Sequence, residues 1–415
     1  MTFLKSPLHW VARDGKLIVI ANAFGRFVQS SIVIFLALYL GKLGFSLVQI
    51  GTFLSAGVAG SAFFTFLVSI IANRVGRRRL LIIFTLMSAC SGFALVLFDD
   101  FLLLLFFAFL GSLSGRTNPT QPLEQASLTD TAPPEKRTDL FAIYRIVGVG
   151  STALGALAAG LPTIYQKVFA MSEIDAYKAM FIGFAVILLL RALLYGLLSS
   201  SIDVGISEQR WTNPFRLPSR RLIFTLTGLF SLDAFAGSLV LDSLAAYWFY
   251  TKFGLELGSV ATIFFFSRLI AAFSLWVAAK IANRIGLINT MVFTHIPSSL
   301  FFIAAVFAPT PWLAILFWQL RSFLGQMDQP TRDSYTMSVV GPDERVAMAG
   351  INNVGRSVSG TIAPSVSTVL WQTFSASVPF IACAVLKITY DLWLYFLFRN
   401  VKPPQEADPP PSSRR

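Results

Sequence analysis

Charge is what this chain has least of. Only 13% of its 415 residues are Asp, Glu, Lys or Arg, about half the share usual in a soluble domain. Hydrophobic residues make up 55% and the mean hydropathy is +0.68. A water-soluble fold cannot hide that much apolar surface, whereas in lipid it need not be hidden. Cysteine and histidine are equally scarce, with two of each. Cys90 and Cys383 lie in apolar stretches without a partner at metal-ligand spacing, so both read as buried packing residues. Nucleotide-binding loops and nucleophile elbows are missing too. An enzyme is thereby excluded, and neither a cofactor nor a metal is expected. A cleavable signal pattern is also missing, because the basic lead of Lys5, Arg13 and Lys16 runs into an apolar stretch too long for a signal core.

What is present is a series of apolar runs with basic ends. A net charge of +12 on a soluble chain would point to nucleic acid. Here the cations flank apolar stretches, which makes them an orientation signal and excludes a nucleic-acid partner. A helix needs about 20 apolar residues to cross a bilayer. Spans are predicted at 16–41, 47–73, 80–98, 101–123, 138–162, 178–200, 220–250, 257–283, 287–308, 311–338, 346–370 and 375–398. One side carries Lys5, Arg13, Lys16, Arg74, Arg77, Arg78, Arg79, Lys136, Arg137, Arg210, Arg216, Arg220, Arg221, Arg284, Arg332, Arg345, Arg399 and Lys402; the other has Lys42, Lys167, Lys178 and Lys252 with Asp99 and Asp100, and its last loops are almost uncharged. This asymmetry alternates correctly over twelve spans and puts both termini in the cytoplasm.

The second six spans repeat the first. Residues 71–76 read IANRVG and 281–286 read IANRIG, an offset of 210. Residues 121–137 align without a gap on 329–345 at an offset of 208, with Gln-Pro opening both. Matches in polar segments carry more weight than matches between apolar ones. The expected fold is therefore an all-α membrane protein, twelve transmembrane helices in two pseudo-symmetric six-helix bundles. The predicted parts are an N-terminal bundle at 1–200, a cytoplasmic linker at 201–219, a C-terminal bundle at 220–399 and a disordered cytoplasmic tail at 400–415. Parallel repeats of this kind typify one large transporter architecture.

At this point the chain resembles the major facilitator superfamily (MFS). The family's loop between spans 2 and 3 reads G-x-x-x-D-R-x-G-R-R. Here Arg74, Gly76, Arg77 and Arg78 match it, while Ser69 replaces the first Gly and Asn73 the acid. The resemblance implies a gating loop of Asn73, Arg74, Gly76, Arg77 and Arg78, repeated in the second half as Asn283, Arg284 and Gly286. Asn73 can hydrogen-bond but cannot form the family's ion pair. The bland alternative for the arginines is a positive-inside anchor. The family's R-x-x-x-G pattern of span 4 occurs here in span 10, as Arg321 and Gly325, with Gly111 at the span 4 equivalent. The glycines of span 5, Gly148, Gly150, Gly155 and Gly160, lack the Gly-Pro register of drug antiporters.

Ionisable residues inside a membrane are costly and mark functional candidates. The resemblance implies that spans 1, 4, 7 and 10 line a central cavity. That singles out Arg26, Arg116, Asp233, Asp242, Arg321 and Asp328, with Glu124 near the end of span 4. Asn22 and Gln29 lie four and three residues from Arg26, so the three form one polar stripe on span 1. Asn22, Arg26, Gln29, Arg116 and Arg321 are the candidate substrate contacts. Asp233, Asp242, Asp328 and Glu124 are the candidate proton-coupling acids. The competing reading has Arg26 and Arg321 bridging Asp233 and Asp328 as structural ion pairs. Lys387 and Asp391, one turn apart, are expected to pair locally, and His295 to pack. Pro119, Pro122 and Pro330 predict bends in spans 4 and 10.

The expected function is proton-linked secondary transport of a small solute. The solute is organic (anionic, zwitterionic or amphipathic), the direction is efflux by antiport, and the setting is the inner or plasma membrane. A monomer is expected, with the lipid bilayer, the solute and protons as partners. The alternatives are an uptake permease, or a membrane sensor or assembly protein that kept the fold without transporting.

Overall fold

The computed structural model describes residues 10–113, 118–129, 131–203, 218–341, 344–399 and 401. Most of the predicted linker and nearly all of the predicted tail lie outside these residues, as does Arg116. Among the described residues there is no strand. The helices are α1 (Arg13–Lys42), α2 (Leu47–Val75), α3 (Arg77–Leu97), α4 (Phe101–Gly111), α5 (Thr120–Thr129), α6 (Arg137–Ala158), α7 (Leu161–Phe169) and α8 (Glu173–Gly196). The second half contributes α9 (Arg220–Leu239), α10 (Asp242–Phe253), α11 (Leu257–Ile285), α12 (Leu287–Phe307), α13 (Pro311–Leu324), α14 (Asp328–Ser338), α15 (Arg345–Thr373) and α16 (Ser377–Phe398).

These sixteen helices make the twelve predicted passes, because four passes are interrupted. Passes 4, 5, 7 and 10 are α4/α5, α6/α7, α9/α10 and α13/α14. Among the described residues nine stretches are long and apolar enough to cross a membrane. The other three passes are the two broken ones, α4/α5 and α13/α14, and α15. The prolines act differently from the expected mid-helix bend. Pro122 and Pro330 sit in the first turn of α5 and of α14, where a missing N–H costs little. The chain has already broken upstream, with Ser112 in a left-handed conformation at φ 52°.

The repeat extends to element boundaries. Helices α2 and α11 start and end 210 residues apart, and so do α3 and α12. Gly76 and Gly286 turn the chain between these pairs at φ 93° and 86°, a region in which a side chain is strained. The matched IANR-(V/I)-G segments are therefore the same turn made twice. Local chemistry fixes other ends. Ser46 and Gln49 form a reciprocal capping box at the start of α2, and Asp100 accepts a 2.9 Å bond from the Leu103 N–H to start α4.

The chain forms two compact units. The first comprises Met1–Gln209, Leu241–Phe266 and Pro364–Gln372; the second comprises Arg210–Val240, Ser267–Ala363 and Thr373–Arg415. Each has its own apolar core. In the first, Ile18, Phe64, Leu81, Leu128, Leu140 and Tyr195 pack together. In the second, Leu226, Phe230, Met291, Tyr335, Tyr390 and Leu394 do so. Cys383 is buried as expected, but Cys90 is exposed on the apolar surface of α3. A small thiol is tolerated on a lipid-facing surface as readily as in a core.

Within the first unit, segments of both sequence halves meet. Ser243 Oγ donates to the Val33 carbonyl at 2.6 Å. Ser55 and Ser365 hydroxyls bond at 2.8 Å, and Lys167 pairs with Glu256 at 2.9 Å. All these contacts lie at the helix ends remote from the Arg74–Arg79 turn. The charged pair is exposed, so it adds little stability.

Candidate functional site

The polar stripe predicted on α1 opens onto a small cleft inside the first unit. Asn22, Gly25, Arg26, Asn118, Thr120, Gln121, Glu124 and Arg191 line it. Its floor is an ion pair. Arg191 Nη2 lies 2.8 Å from Glu124 Oε1 and 2.9 Å from Thr120 Oγ1. Tyr144 donates to Glu124 Oε2 at 2.6 Å, and Tyr195 also donates to Glu124. Four elements, α5, α6, α8 and α1, thus hold one carboxylate and its cation. Gly25 makes this possible, since a Cβ there would lie 2.5 Å from the Arg191 guanidinium carbon. Asn22 is buried and spends its amide on the Tyr144 carbonyl at 3.1 Å, so it braces α1 against α6 at the cleft wall.

Arg26 differs from Arg191. It lines the cleft half-buried, and among the described residues it has no hydrogen-bonded or ion-paired partner. Gln29 belongs to the same stripe but is not among the cleft-lining residues.

The second unit holds a larger charge network in the corresponding place. Asp233 of α9 accepts from Lys387 Nζ of α16 at 2.6 Å and from Arg332 Nη1 of α14 at 3.1 Å. Arg332 also binds Asp328, one turn earlier, at 2.9 Å. Lys387 Nζ is 3.2 Å from His295 Nε2 of α12, and His295 Nδ1 faces both Asp391 oxygens at 2.9 and 3.0 Å. Asp233, Asp328, His295, Arg332 and Asp391 are all buried. The two networks use matching positions with different charges: Glu124 and Arg332 lie 208 residues apart, the offset of the repeat.

The remaining candidates fall elsewhere. Arg321 stacks on Phe302 and Trp318, with ring centres 4.3 and 4.7 Å from its guanidinium carbon. It is Arg332, not Arg321, that bridges Asp233 and Asp328. Asp242 begins α10 in the first unit, and Asp233 lies on α9 in the second. At the turn, Arg78 donates its backbone N–H to Asp203 at 3.1 Å and its guanidinium to the Gly196 carbonyl. Arg77 is buried, and Arg74 and Arg284 are exposed. Asn73 and Asn283 lie on α2 and α11 beside these glycines. Lys387 and Asp391 do not pair locally as expected, because each faces another helix.

Sequence reasoning missed Arg191, Tyr144 and Tyr195, and it assigned Arg332 to a cytoplasmic connection. The signal for Arg191 was visible as a lone cation in the run ILLLRALLYG. Arg332 was obscured because the break in pass 10 lies upstream of it.

Residues 17–364 match the Major Facilitator Superfamily, and the chain belongs to that family. It is 24% identical over 401 residues to the uncharacterized membrane protein YJR124C of Saccharomyces cerevisiae, covering 88% of this chain and 90% of that protein. Among solved structures, the nucleoside transporter NupG matches with a TM-score of 0.76 at 14% identity, over 93% of this chain and 99% of that one. An auto-inhibited POT family peptide transporter matches at 0.75 and 14%, over 96% and 99%. A bacterial homologue of the human lysosomal transporter Spinster, inward-facing and occupied, matches at 0.69 and 14%, over 93% and 96%. The protein is thus a multi-pass membrane transporter, not an enzyme, with two bundles of six passes.

Proposed function

We propose that this transporter is a proton-linked secondary carrier that exports a small organic anion or zwitterion by alternating access. The observation that carries the proposal is Arg26, a cation in a cleft within an apolar bundle and without a counter-ion among the described residues. An uncompensated charge at such a place is expensive unless a ligand supplies its partner. The amides of Asn118 and Gln121 beside it offer donors and acceptors for the rest of the solute. Gln29, on the same helix as Arg26, and Arg116 and Arg321 are the other residues of the proposed substrate set.

Proton linkage is proposed from the second-unit network, where Asp233 and Asp328 sit among cations with a histidine in contact; Glu124 and Asp242 complete the acids considered. Export rests on analogy with small family members that have short connections. The proposed setting is the cell membrane, with both termini cytoplasmic, a monomer, bundles at 1–200 and 220–399, and Asn73–Arg78 with Asn283–Gly286 as gating turns.

Purified protein in liposomes, given a panel of labelled organic anions, zwitterions and amphipathic cations under an imposed pH gradient, tests this. Flux of an anion or zwitterion above that of protein-free liposomes, driven against the proton gradient, is expected. Flux with the proton gradient would make the carrier an uptake permease. Absence of flux for the whole panel, with cellular function preserved in Arg26→Ala and Asp233→Asn, would overturn the transport mechanism.

A further inference from the structure

We propose that His295 is the proton-binding site of the second unit: its Nε2 takes up a proton, and this displaces the Lys387 ammonium and commits it to Asp233. The inference deepens the proton-linked reading above and rests on it for its functional meaning. Hydrogen-bond bookkeeping supports it. Lys387 Nζ lies 2.6 Å from a carboxylate oxygen of Asp233, so it is an ammonium with donors only. Its 3.2 Å contact with His295 Nε2 then requires that nitrogen to be an acceptor. The ring proton must therefore sit on Nδ1, where the Asp391 carboxylate faces it at 2.9 Å. The ring is neutral, in one defined tautomer, with its basic lone pair turned toward a cation.

The network's charge favours uptake of one proton from that state. Asp233, Asp328 and Asp391 bring three negative charges, and Arg332 and Lys387 bring two positive ones. With neutral His295 the buried group carries one net negative charge, and one added proton neutralises it. Burial makes an unbalanced charge costly. The proton comes from the aqueous phase and bonds to the Nε2 lone pair. Nδ1–H stays on Asp391, and no other bond is broken. Two donors then face one another at Nε2 and Nζ, so that contact must open, whereas Lys387 to Asp233 remains favourable. Protonation on α12 is thereby converted into a shift of a side chain on α16 and a stronger hold on α9.

Helix α16 presents Asp391, Lys387 and the ring of Tyr390, whose centre is 6.1 Å from the imidazole. Helix α14 brings Asp328 and Arg332, and α9 brings Asp233. On α13 the nearest cation, Arg321, is turned onto Phe302 and Trp318. The buried Tyr390 hydroxyl has no partner among the described residues, which leaves the network one polar group to use on rearrangement.

The chain has two histidines, His9 and His295, so His9→Gln leaves a single imidazole to observe in the full-length protein. Nitrogen-15 NMR in micelles should show the neutral Nδ1–H tautomer at alkaline pH and conversion to imidazolium as pH falls. Lys387→Met should raise the titration midpoint by about one pH unit, tenfold tighter proton binding, by removing a like charge. Lys387→Arg should stay near wild type. A neutral Nε2–H tautomer, a ring that does not titrate between about pH 5 and 9, or a folded Lys387→Met with an unmoved midpoint would overturn the proposal. If Lys387→Met does not fold, the tautomer and titration of the His9→Gln protein decide. Flux separates this from the broader reading. Titration as described, with wild-type flux indifferent to the pH gradient, keeps the proton site and removes proton-linked transport. Gradient-driven flux unchanged in His295→Gln keeps the linkage and removes His295 from it.

Discussion

Replacing Glu124 by Ala is expected to lower the stability of the protein by about 3–5 kcal/mol, the usual cost of stranding one member of a buried ion pair. Arg191 and Glu124 are 5% and 1% exposed, so water cannot take over the lost contact. The substitution removes the acceptor of Arg191 and also of the Tyr144 and Tyr195 hydroxyls. The two tyrosine hydroxyls are left without an acceptor and Arg191 keeps only Thr120, and each unsatisfied group adds its own penalty. Glu124→Gln should lose less, because the amide oxygen still accepts. The double variant Glu124→Leu/Arg191→Leu should recover part of the loss, since apolar replacement of a buried pair is often tolerated while the Tyr144 and Tyr195 hydroxyls stay without their acceptor. Thermal unfolding in detergent, followed by tryptophan fluorescence, reads the series. A Glu124→Ala midpoint equal to wild type would show that the pair is not the brace the geometry makes it.

Arg26→Ala should instead spare the fold and weaken solute binding. Arg26 is half-buried and makes no hydrogen bond or ion pair among the described residues, so its removal leaves no buried partner unsatisfied. A hydrogen bond to a charged group contributes about 1.5–3 kcal/mol, equivalent to a loss of solute affinity of about 10–100-fold. Arg26→Lys should restore part of it, because an ammonium keeps the charge but loses the planar fork that matches a carboxylate. Equilibrium binding of the solute identified by flux, at matched unfolding midpoints, is the check. Unchanged affinity in Arg26→Ala would move the substrate site away from α1.

The contrast between Glu124 and Arg26 explains what was legible in the sequence. Apolar runs and alternating basic loops gave the passes, because crossing a bilayer imposes length and composition on each one. The two IANR-(V/I)-G segments gave the repeat, because a positive-φ turn admits few residues besides glycine. Asn22 and Arg26 were legible as neighbours because helical spacing alone puts them on one face. Partners across helices were not. Nothing in the order of residues distinguishes Arg321 from Arg332 as the bridge to Asp233, since that depends on where pass 10 breaks. Lys387 and Asp391 looked like a local pair for the same reason: one-turn spacing brings them near each other but does not fix which way either side chain leans. His295 looked like a packing residue because its partners come from α16, about ninety residues away.

In the proposed mechanism the cleft at Asn22 and Arg26 opens to each side of the membrane in turn. Gln121 lines that cleft, and Cys90 and Cys383 are the chain's only cysteines. In a Cys90→Ser/Cys383→Ala background, Gln121→Cys can therefore be labelled by a membrane-impermeant thiol reagent added to one side at a time. Labelling from both sides, slowed from both by the transported solute, is the predicted result. Labelling from one side only under every pH gradient and solute condition would contradict alternating access through this cleft.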